Sequence, residues 1–428
     1  MSDWKEYKLG DVCAIVGRIG FRGYTTDDLT NNPKDGAISL SPTNIVAGEI
    51  DLSKPTYIKW PKYYESPEIM LEKDDIVLVK TGSSIGRTAR IREVKHPMTL
   101  NPQFVVLKKV KVDNVFLSYV LKSQPFQASL KAIIVGSAIP TLSQKNLAKI
   151  SINMPEEKIQ KAIARVLLAL DDKIEVNRRI NENLEQQAQA LFKSWFVDFE
   201  PFKDQPFVDS ELGMIPQGWD VKAFKDICVN ITDGVHNSVK DDTNGDYYLL
   251  SCKNIKGGLI TIGNNERKID KETFEKLRNR TKLAKGDILL SSVGTIGEMV
   301  LLNENPSNFE FQRSVAIIKP NAELVSSHFL YYAMNAQKNE IIHSAHGAVQ
   351  QCLFISDISN FKTILPSHEI MMNYTNVVYS FHDIISKNQQ ESRRLAELRD
   401  TLLPRLMSGE LKVQDTDLIN EMLEKGIR

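Results

Sequence analysis

The chain has 428 residues, a formal net charge of zero, and apolar and charged fractions of 42% and 25%, which predict a globular protein of two to three domains. No apolar run reaches membrane-spanning length, and the amino terminus MSDWKEYKLGD lacks the apolar core of a signal peptide, so we expect a cytoplasmic protein. The four cysteines form no CxxC motif or Cys/His cluster, which argues against a zinc or redox site.

The first part of the chain predicts a mixed α/β domain at 1–152. It combines short β-rich runs, such as Asp75 to Val79 and Gln103 to Leu107, with Gly/Pro/Asn turns and a helical stretch around Phe116 to Leu130.

A long helix is predicted next, at 153–200. Pro155 is suited to its first turn, where no hydrogen bond is lost. The sequence WFVDFEPF ends it. Asn177 and Asn181 interrupt an apolar coiled-coil seam. The seam consists of Ile163, Leu167, Leu170, Ile174, Leu184, Ala188, Leu191 and Trp195.

The second half repeats this order. A linker and a second mixed domain are predicted at 201–365, and a second helix with a charged tail at 366–428. Asn388 falls at the same heptad position as Asn177. The second seam consists of Tyr374, Val378, Phe381, Ile385, Asn388, Ser392, Leu395, Arg399 and Leu402.

The two halves align with an offset of about 211 residues, as the prolines that open the two helices show. SPTNI (41–45) matches SCKNI (251–255), and the turn TGSSIG (81–86) matches VGTIG (293–297). A period this long indicates two copies of one domain-plus-helix unit rather than a solenoid. Pseudo-two-fold symmetry with both helices on the axis requires them to be antiparallel, which would bring Asn177 close to Asn388. About forty residues at 1.5 Å each would form a spacer of roughly 60 Å.

Local charge differs from the neutral total. Between Lys80 and Lys149 there are twelve Lys/Arg residues against two acidic ones, and between Lys253 and Lys285 there are ten against four. Two basic faces on a neutral protein are one interpretation, and an ordinary solvated surface is the other.

With these features the chain resembles the specificity (S) subunit of a type I restriction–modification enzyme. The helix-closing sequences LFKSWFVDFEPF (191–202) and LAELRDTLLPRLMSGEL (395–411) carry the resemblance, as do GWDVKAFKDIC (218–228), KGDILLSSVGTIG (285–297) and GSAIPTLS (136–143). Two features depart from the family pattern. GSAIPTLS is matched in the second copy only by GAVQQCLF (347–354), and the first copy lacks the GxxPxGW lead-in found at 213–219.

The resemblance implies an α/β (mixed α+β) fold of two pseudo-symmetric target recognition domains, joined by two long helices in an antiparallel coiled coil. It also implies that each domain reads one half of a bipartite double-stranded DNA target. Two methylation (M) subunits would dock on the helices, and restriction (R) subunits would be recruited. The chain itself would be non-catalytic and hold no cofactor, with S-adenosylmethionine, ATP and Mg expected on the partner subunits.

Candidate DNA contacts follow from side-chain chemistry. Phosphates are bound by lysine, arginine and small hydroxyl groups, whereas bases are read by arginine, asparagine and glutamine. The first group comprises Lys80, Thr81, Ser83, Ser84, Arg87, Ser291, Ser292 and Thr295. The second group comprises Arg18, Arg22, Asn44, His236, Asn237, Lys253, Asn254, Gln350 and Gln351. Because Asn44 and Asn254 align, a shared structural turn is an equal alternative for that pair. Asn177 and Asn388 are predicted to set the coiled-coil register.

Two other classes of function stay open. The string Asn101-Pro102-Gln103-Phe104 approaches the Asn-Pro-Pro-aromatic motif of amino-methyltransferases, but it lacks the second proline, and the chain lacks a Gly-rich cofactor turn. This disfavours a stand-alone adenine methyltransferase. A coiled-coil adaptor that binds no DNA would explain the helices but not the basic clusters.

Overall fold

The computed structural model describes two compact units, 1–176 with 391–428 and 177–390. Both boundaries fall inside the long helices, so each unit contains one half of each helix. The described residues are 4–19, 23–46, 48–134, 140–236, 239–263, 265–347 and 351–413. Among them, no helix is both long and apolar enough to cross a membrane.

The first copy contains twelve strands and five short α-helices in its described residues. The strands are β1 (Lys5–Lys8), β2 (Ala14–Val16), β3 (Leu29–Thr30), β4 (Gly36–Leu40), β5 (Ile45–Val46), β6 (Glu49–Ile50), β7 (Tyr57–Lys59), β8 (Ile76–Val79), β9 (Thr88–Arg90), β10 (Met98–Leu100), β11 (Phe104–Lys108) and β12 (Ser151–Met154). The helices are α1 (Leu9–Val12), α2 (Trp60–Tyr64), α3 (Asn114–Lys122), α4 (Gln124–Ala132) and α5 (Gln144–Leu147).

The helical stretch predicted around Phe116 to Leu130 is two helices rather than one. Ser123 has extended backbone angles (φ −66°, ψ 149°) and lies at the end of α3 and the start of α4. Pro125 lies in the first turn of α4, where its missing N–H is tolerated but where it could not continue α3.

The central sheet of the first copy has the strand order β2-β11-β8-β9. Its middle strands are buried on both faces. Ile76 and Leu78 pack with helix α3, whereas the alternate residues Val77 and Val79 pack with a second sheet of order β10-β4-β7-β3. Burial on both sides explains why β8 and β11 are continuous apolar runs.

The second copy repeats this topology. Its strands are β13 (Phe207–Val208), β14 (Ile215–Pro216), β15 (Asp220–Ala223), β16 (Cys228–Asp233), β17 (Tyr247–Leu250), β18 (Ile255–Lys256), β19 (Leu259–Ile260), β20 (Lys268–Ile269), β21 (Ile288–Ser291), β22 (Met299–Leu301), β23 (Phe309–Phe311), β24 (Val315–Pro320) and β25 (Lys362–Leu365). The order β16-β24-β21-β22 corresponds to that of the first central sheet, and β20-β17-β23 corresponds to β7-β4-β10. The internal duplication predicted from the sequence is confirmed.

Two forty-residue helices follow the two domains. The first is α6 (Glu157–Phe196). The second copy contributes α7 (Phe224–Ile227), α8 (Lys271–Thr281), α9 (Ser327–Ala336), α10 (Lys338–His343), α11 (Ile355–Asn360) and α12 (His368–Met407). In the first unit the start of α6 packs against the end of α12, through Leu167 and Leu402 among others. In the second unit the end of α6 packs against the start of α12, through Phe192 and Tyr374. The helices are therefore antiparallel, as expected.

The asparagines of the seam meet. Asn177 is fully buried, and its Nδ2 donates to the backbone carbonyl of Asn388 at 3.4 Å. Asn388 Nδ2 in turn donates to Asn181 Oδ1 at 2.8 Å. The predicted proximity of Asn177 and Asn388 is confirmed. Their role in fixing the register stays a prediction, supported by the cost of placing amides in an apolar seam.

Equivalent tyrosines attach each domain to the helices. In the first unit the Tyr119 hydroxyl donates to Asp171 on α6 at 2.5 Å, and Asp171 also accepts from Arg399 on α12 at 2.7 Å. In the second unit the hydroxyl of Tyr332 lies 2.9 Å from Glu185 and 2.8 Å from His382 Nε2. The same position in the repeat thus uses different polar partners.

Candidate nucleic-acid interface

The turn after β8 carries the predicted phosphate contacts of the first copy. Gly86 N donates to Val79 O at 2.9 Å and closes the turn. Gly82 and Gly86 have φ values of +96° and +88°, a region that strains other residues. Ser83 and Arg87 are exposed, whereas Lys80, Thr81 and Ser84 are half-buried. The turn therefore presents a basic and hydroxyl-rich edge.

A following loop holds this turn in place. Gly82 N donates to Pro140 O at 3.1 Å, and Leu142 N donates to Lys80 O at 2.8 Å. The described end of the GSAIPTLS sequence therefore lies directly against the turn. Its first four residues, 136–139, lie outside the described residues.

The second copy builds the equivalent turn in the same way. Gly297 N donates to Ser291 O at 3.1 Å, and Leu353 N donates to Ser292 O at 2.8 Å. The described end of GAVQQCLF therefore lies against this turn, as the described end of GSAIPTLS lies against the first turn. Ser291 and Ser292 are buried, and the Ser291 hydroxyl lies 3.1 Å from that of Thr295. The two serines line the inside of the turn, and Thr295 is exposed.

Asn44 and Asn254 cap matching turns. Asn44 is 6% exposed and Asn254 is 2% exposed. Each side-chain oxygen accepts from the backbone N–H three residues earlier, at 2.9 Å in both copies. Each Nδ2 donates to a backbone carbonyl seven residues later, at 3.0 and 2.9 Å. Because these bonds engage both ends of each amide, we assign the pair to the shared structural turn, the alternative that the sequence left open.

Arg18 and the turn after β8 both form hydrogen bonds with the segment 100–103. The Arg18 guanidinium donates to Leu100 O at 2.9 Å, and Lys80 N donates to Gln103 O at 2.7 Å. The guanidinium also lies over the ring of Tyr24, 5.7 Å from its centroid. Burial lowers the pKa of Arg18. Part of its donor capacity is thus used inside the domain, which reduces what it can offer to a base.

The remaining described candidates of the second copy, His236, Lys253 and Gln351, lie at the surface. His236 Nε2 is 2.6 Å from the Asp233 carboxylate, and the Lys253 ammonium is 3.1 Å from Glu266. Gln351 is exposed. Arg22, Asn237 and Gln350 lie outside the described residues.

The structure adds one residue that the sequence argument passed over. Val235 pairs with Gln312, and Ser292 N donates to Ser314 O at 3.0 Å. Arg313, between them, is exposed and is a further candidate for a DNA contact. Asn101-Pro102 of the first copy aligns with Gln312-Arg313 of the second, so the sequence repeat itself places an arginine beside the second turn.

Ion pairs with carboxylates neutralise part of the positive charge on both predicted basic faces. In the first copy they join Arg90 to Asp74, Arg92 to Glu49 and Asp172, and Lys108 to Asp75. In the second copy they join Lys253 to Glu266, Arg267 to Asp241, and Arg278 to Glu310. Lys80 and Arg87 have no ion-pair partner among the described residues. Burial lowers the pKa of the Lys80 ammonium, which indicates a partly desolvated cation on the edge of the turn.

Comparison with known proteins agrees with this architecture. The type I restriction modification DNA specificity domain matches residues 1–186 and 216–399. The type I restriction enzyme MjaIX specificity subunit of Methanocaldococcus jannaschii is 31% identical over 97% of this chain and 95% of its own length. The HindI specificity subunit of Haemophilus influenzae is 25% identical over 96% of this chain and all of its own length.

A solved structure shows the same fold. The type I restriction–modification S subunit from M. genitalium superposes with a TM-score of 0.53 at 15% identity, covering 94% of this chain and 96% of its own. With the duplicated domains, the antiparallel helices and these matches, the chain belongs to the family of type I restriction–modification specificity subunits.

Proposed function

We propose that this chain is the DNA-recognition subunit of a type I restriction–modification complex, in which each domain binds one half of a bipartite double-stranded target. The observation that carries the proposal is an edge that both copies form in the same way. In each copy, a glycine-containing turn after a central strand is hydrogen-bonded to a loop later in the chain. Backbone amides, hydroxyls and basic side chains on such an edge are suited to phosphates. Exposed arginine and glutamine side chains nearby are suited to base edges.

The partners follow from the same family. We propose that methylation subunits dock on α6 and α12 and that restriction subunits join the complex. The chain would have no catalytic role of its own, and S-adenosylmethionine, ATP and Mg would be bound by those partners. The Asn101 side chain supports this division, because its oxygen accepts from Gln103 N at 2.9 Å and so serves its own turn.

Domain exchange tests the two-reader proposal. Residues 1–152 would be replaced by the first domain of another specificity subunit, and the product would be expressed with its methylation partner. Sequencing of methylated DNA should show one half of the target changed and the other half unaltered. A change in both halves, or in neither, would contradict the proposal.

Binding assays separate the two rival functions. A stand-alone methyltransferase would bind S-adenosylmethionine as the purified chain, whereas we expect no binding. An adaptor that binds no DNA would give no salt-dependent shift of a DNA duplex, whereas we expect affinity to fall steeply with salt.

A further inference from the structure

In each unit the recognition domain contacts the long helices at a junction. Alignment of the two copies shows that these two junctions differ at the chain segment that follows β9 in the first copy and β22 in the second. In the first unit, Arg92 joins the chain just after β9 to helix α6, and Arg90 lies at the end of β9. Arg92 donates to Glu49 through Nε and Nη2 at 2.9 and 3.1 Å, and it also pairs with Asp172. Arg90 pairs with Asp74. The Arg92 guanidinium therefore links a carboxylate of the domain to a carboxylate of α6, and a second guanidinium–carboxylate pair lies at the end of β9.

The register of the sheets identifies the equivalent residues in the second unit. Arg90 pairs with Ile76, and Leu301 pairs with the matching Ile288. Leu301 thus replaces Arg90, and Asn303, two residues later, replaces Arg92. On the helix, the offset of 211 residues equates Asp172 with Asp383. The second junction keeps one carboxylate and loses both arginines.

A cavity of about 440 Å³ lies where these side chains are missing. Its size is within the range of about 300–1,000 Å³ typical of ligand pockets. The residues that line it include Asn303, Ser326, His328, His382, Asp383 and Ser386. All of them belong to the second unit.

His382 presents a hydrogen-bond acceptor in this region. Tyr332 has a single hydroxyl proton, and the carboxylate of Glu185 is its stronger acceptor. His382 Nε2 must then donate to the Tyr332 oxygen, which leaves Nδ1 as an unprotonated acceptor. His382 is 7% exposed, and its Nδ1, like His328 Nε2, has no hydrogen-bond partner among the described residues. Burial lowers the pKa of His382 to about 3, so the ring is neutral at pH 7.

We propose that this cavity is a binding site for a guanidinium group, supplied by a free arginine-like molecule or by an arginine of a partner chain. The carboxylate of Asp383 and the acceptor nitrogen of His382 would receive its N–H groups, as Asp172 and Glu49 receive those of Arg92 in the first unit. Guanidinium suits such a site because its donors lie in one plane and can bind two acceptors at once.

One carboxylate, Asp383, and one ammonium group, Lys285, line the cavity. Asp383 pairs with Lys387 at 2.7 Å but stays half-exposed. Lys285 also lines the cavity, at the position that corresponds to Lys73 of the first copy. An anion near Lys285 and the start of α9 is the competing occupant. The carboxylate of Asp383 and the acceptor nitrogen of His382 both oppose it.

The test is a titration of the whole chain labelled at histidine carbons, followed by NMR. Guanidinium chloride and L-arginine, added in the millimolar range expected for one such group, should shift the His382 and His328 signals in a saturable manner. Potassium chloride and L-lysine at equal ionic strength should not. No saturable shift, the same shift with potassium chloride, or saturation by sodium phosphate instead would overturn the proposal.

Two variants extend the test. Asn303→Arg restores the arginine of the first junction, so it should abolish the guanidinium response and raise the thermal midpoint. Arg92→Asn should lower the midpoint, and guanidinium should partly restore it. If Asn303→Arg also weakens assembly with a methylation subunit, the guanidinium comes from that partner, an outcome that rests on the proposed function. If assembly is unchanged, the source is a free molecule.

Discussion

Lys80→Ala tests whether the edge of the first turn contacts DNA. The ammonium is half-buried and has no ion-pair partner among the described residues, so pairing with a phosphate breaks no existing bond. Each phosphate contact adds about 0.9 to the slope of log affinity against log salt. The variant should therefore have a slope shallower by about 0.9. Over a fourfold rise in salt, its loss of affinity should be about 3.5-fold smaller than that of the unaltered chain.

Lys111 provides a matched control. It lies beyond the opposite end of β11, separated from the turn by five strand residues, or roughly 17 Å, and it is exposed. Fluorescence anisotropy with a duplex, at a series of salt concentrations, would give the slopes for Lys80→Ala, Lys111→Ala and Lys80→Arg. We expect Lys111→Ala and Lys80→Arg to retain the slope. If Lys80→Ala and Lys111→Ala change it equally, the turn does not contact a phosphate, and general charge accounts for binding.

Three further predictions concern the helices. Asp171→Leu leaves Arg399 without its buried partner, and urea unfolding should show a loss on the order of 3 kcal/mol; an unchanged midpoint would contradict this. His382 has a pKa of about 6.5 unfolded and about 3 folded, so its contribution is complete above pH 6.5 and falls as pH drops towards 3. At pH 5 the loss is about 2 kcal/mol, and His382→Gln should remove that part of the pH dependence of thermal melting. One heptad inserted beside both Asn177 and Asn388 adds roughly 10 Å of helix, so the methylated target should keep its halves with a spacer longer by about three base pairs; methylation of a target with an unaltered spacer would show that the helices do not set the distance between the half-sites.

The sequence predicted those parts of the fold that local pattern determines. Heptad spacing and the opening prolines placed both long helices to within a few residues, and the duplication followed from aligned motifs. Pairings between distant residues were not accessible. Asp75 and Asp287 occupy equivalent positions just before β8 and β21, but their partners Lys108 and Lys319 are identified only by the strand pairing in the structure. These are adjacent-strand contacts, and no local spacing encodes them.

The candidate site shows the same limit at the level of single side chains. Composition and turn motifs located both edges, yet they gave equal weight to Ser83, which is exposed, and to Ser291, which is fully buried. They also could not separate Asn44 from an exposed asparagine, because burial depends on residues far away in the chain. What an asparagine or serine offers to DNA is decided by whether its own turn has already used its hydrogen-bonding groups.

Comparison between the two copies removes part of this ambiguity. Where both copies keep the same contacts, as in the turns capped by Asn44 and Asn254, the fold explains the residue, and no ligand is needed. Where the copies differ, as at Arg92 and Asn303, the shared fold cannot explain the residue, so the difference indicates a property of one copy alone.

The same argument applies to the edges formed by the two glycine turns. Arg87 of the first turn is matched by Glu298 in the second, where the carboxylate accepts from Gly257 N at 2.8 Å and pairs with Lys338 at 3.1 Å. A carboxylate held in that way repels phosphate, so we expect any phosphate contacts of the second domain to lie elsewhere on its edge, and the exposed Arg313 is a candidate for one of them.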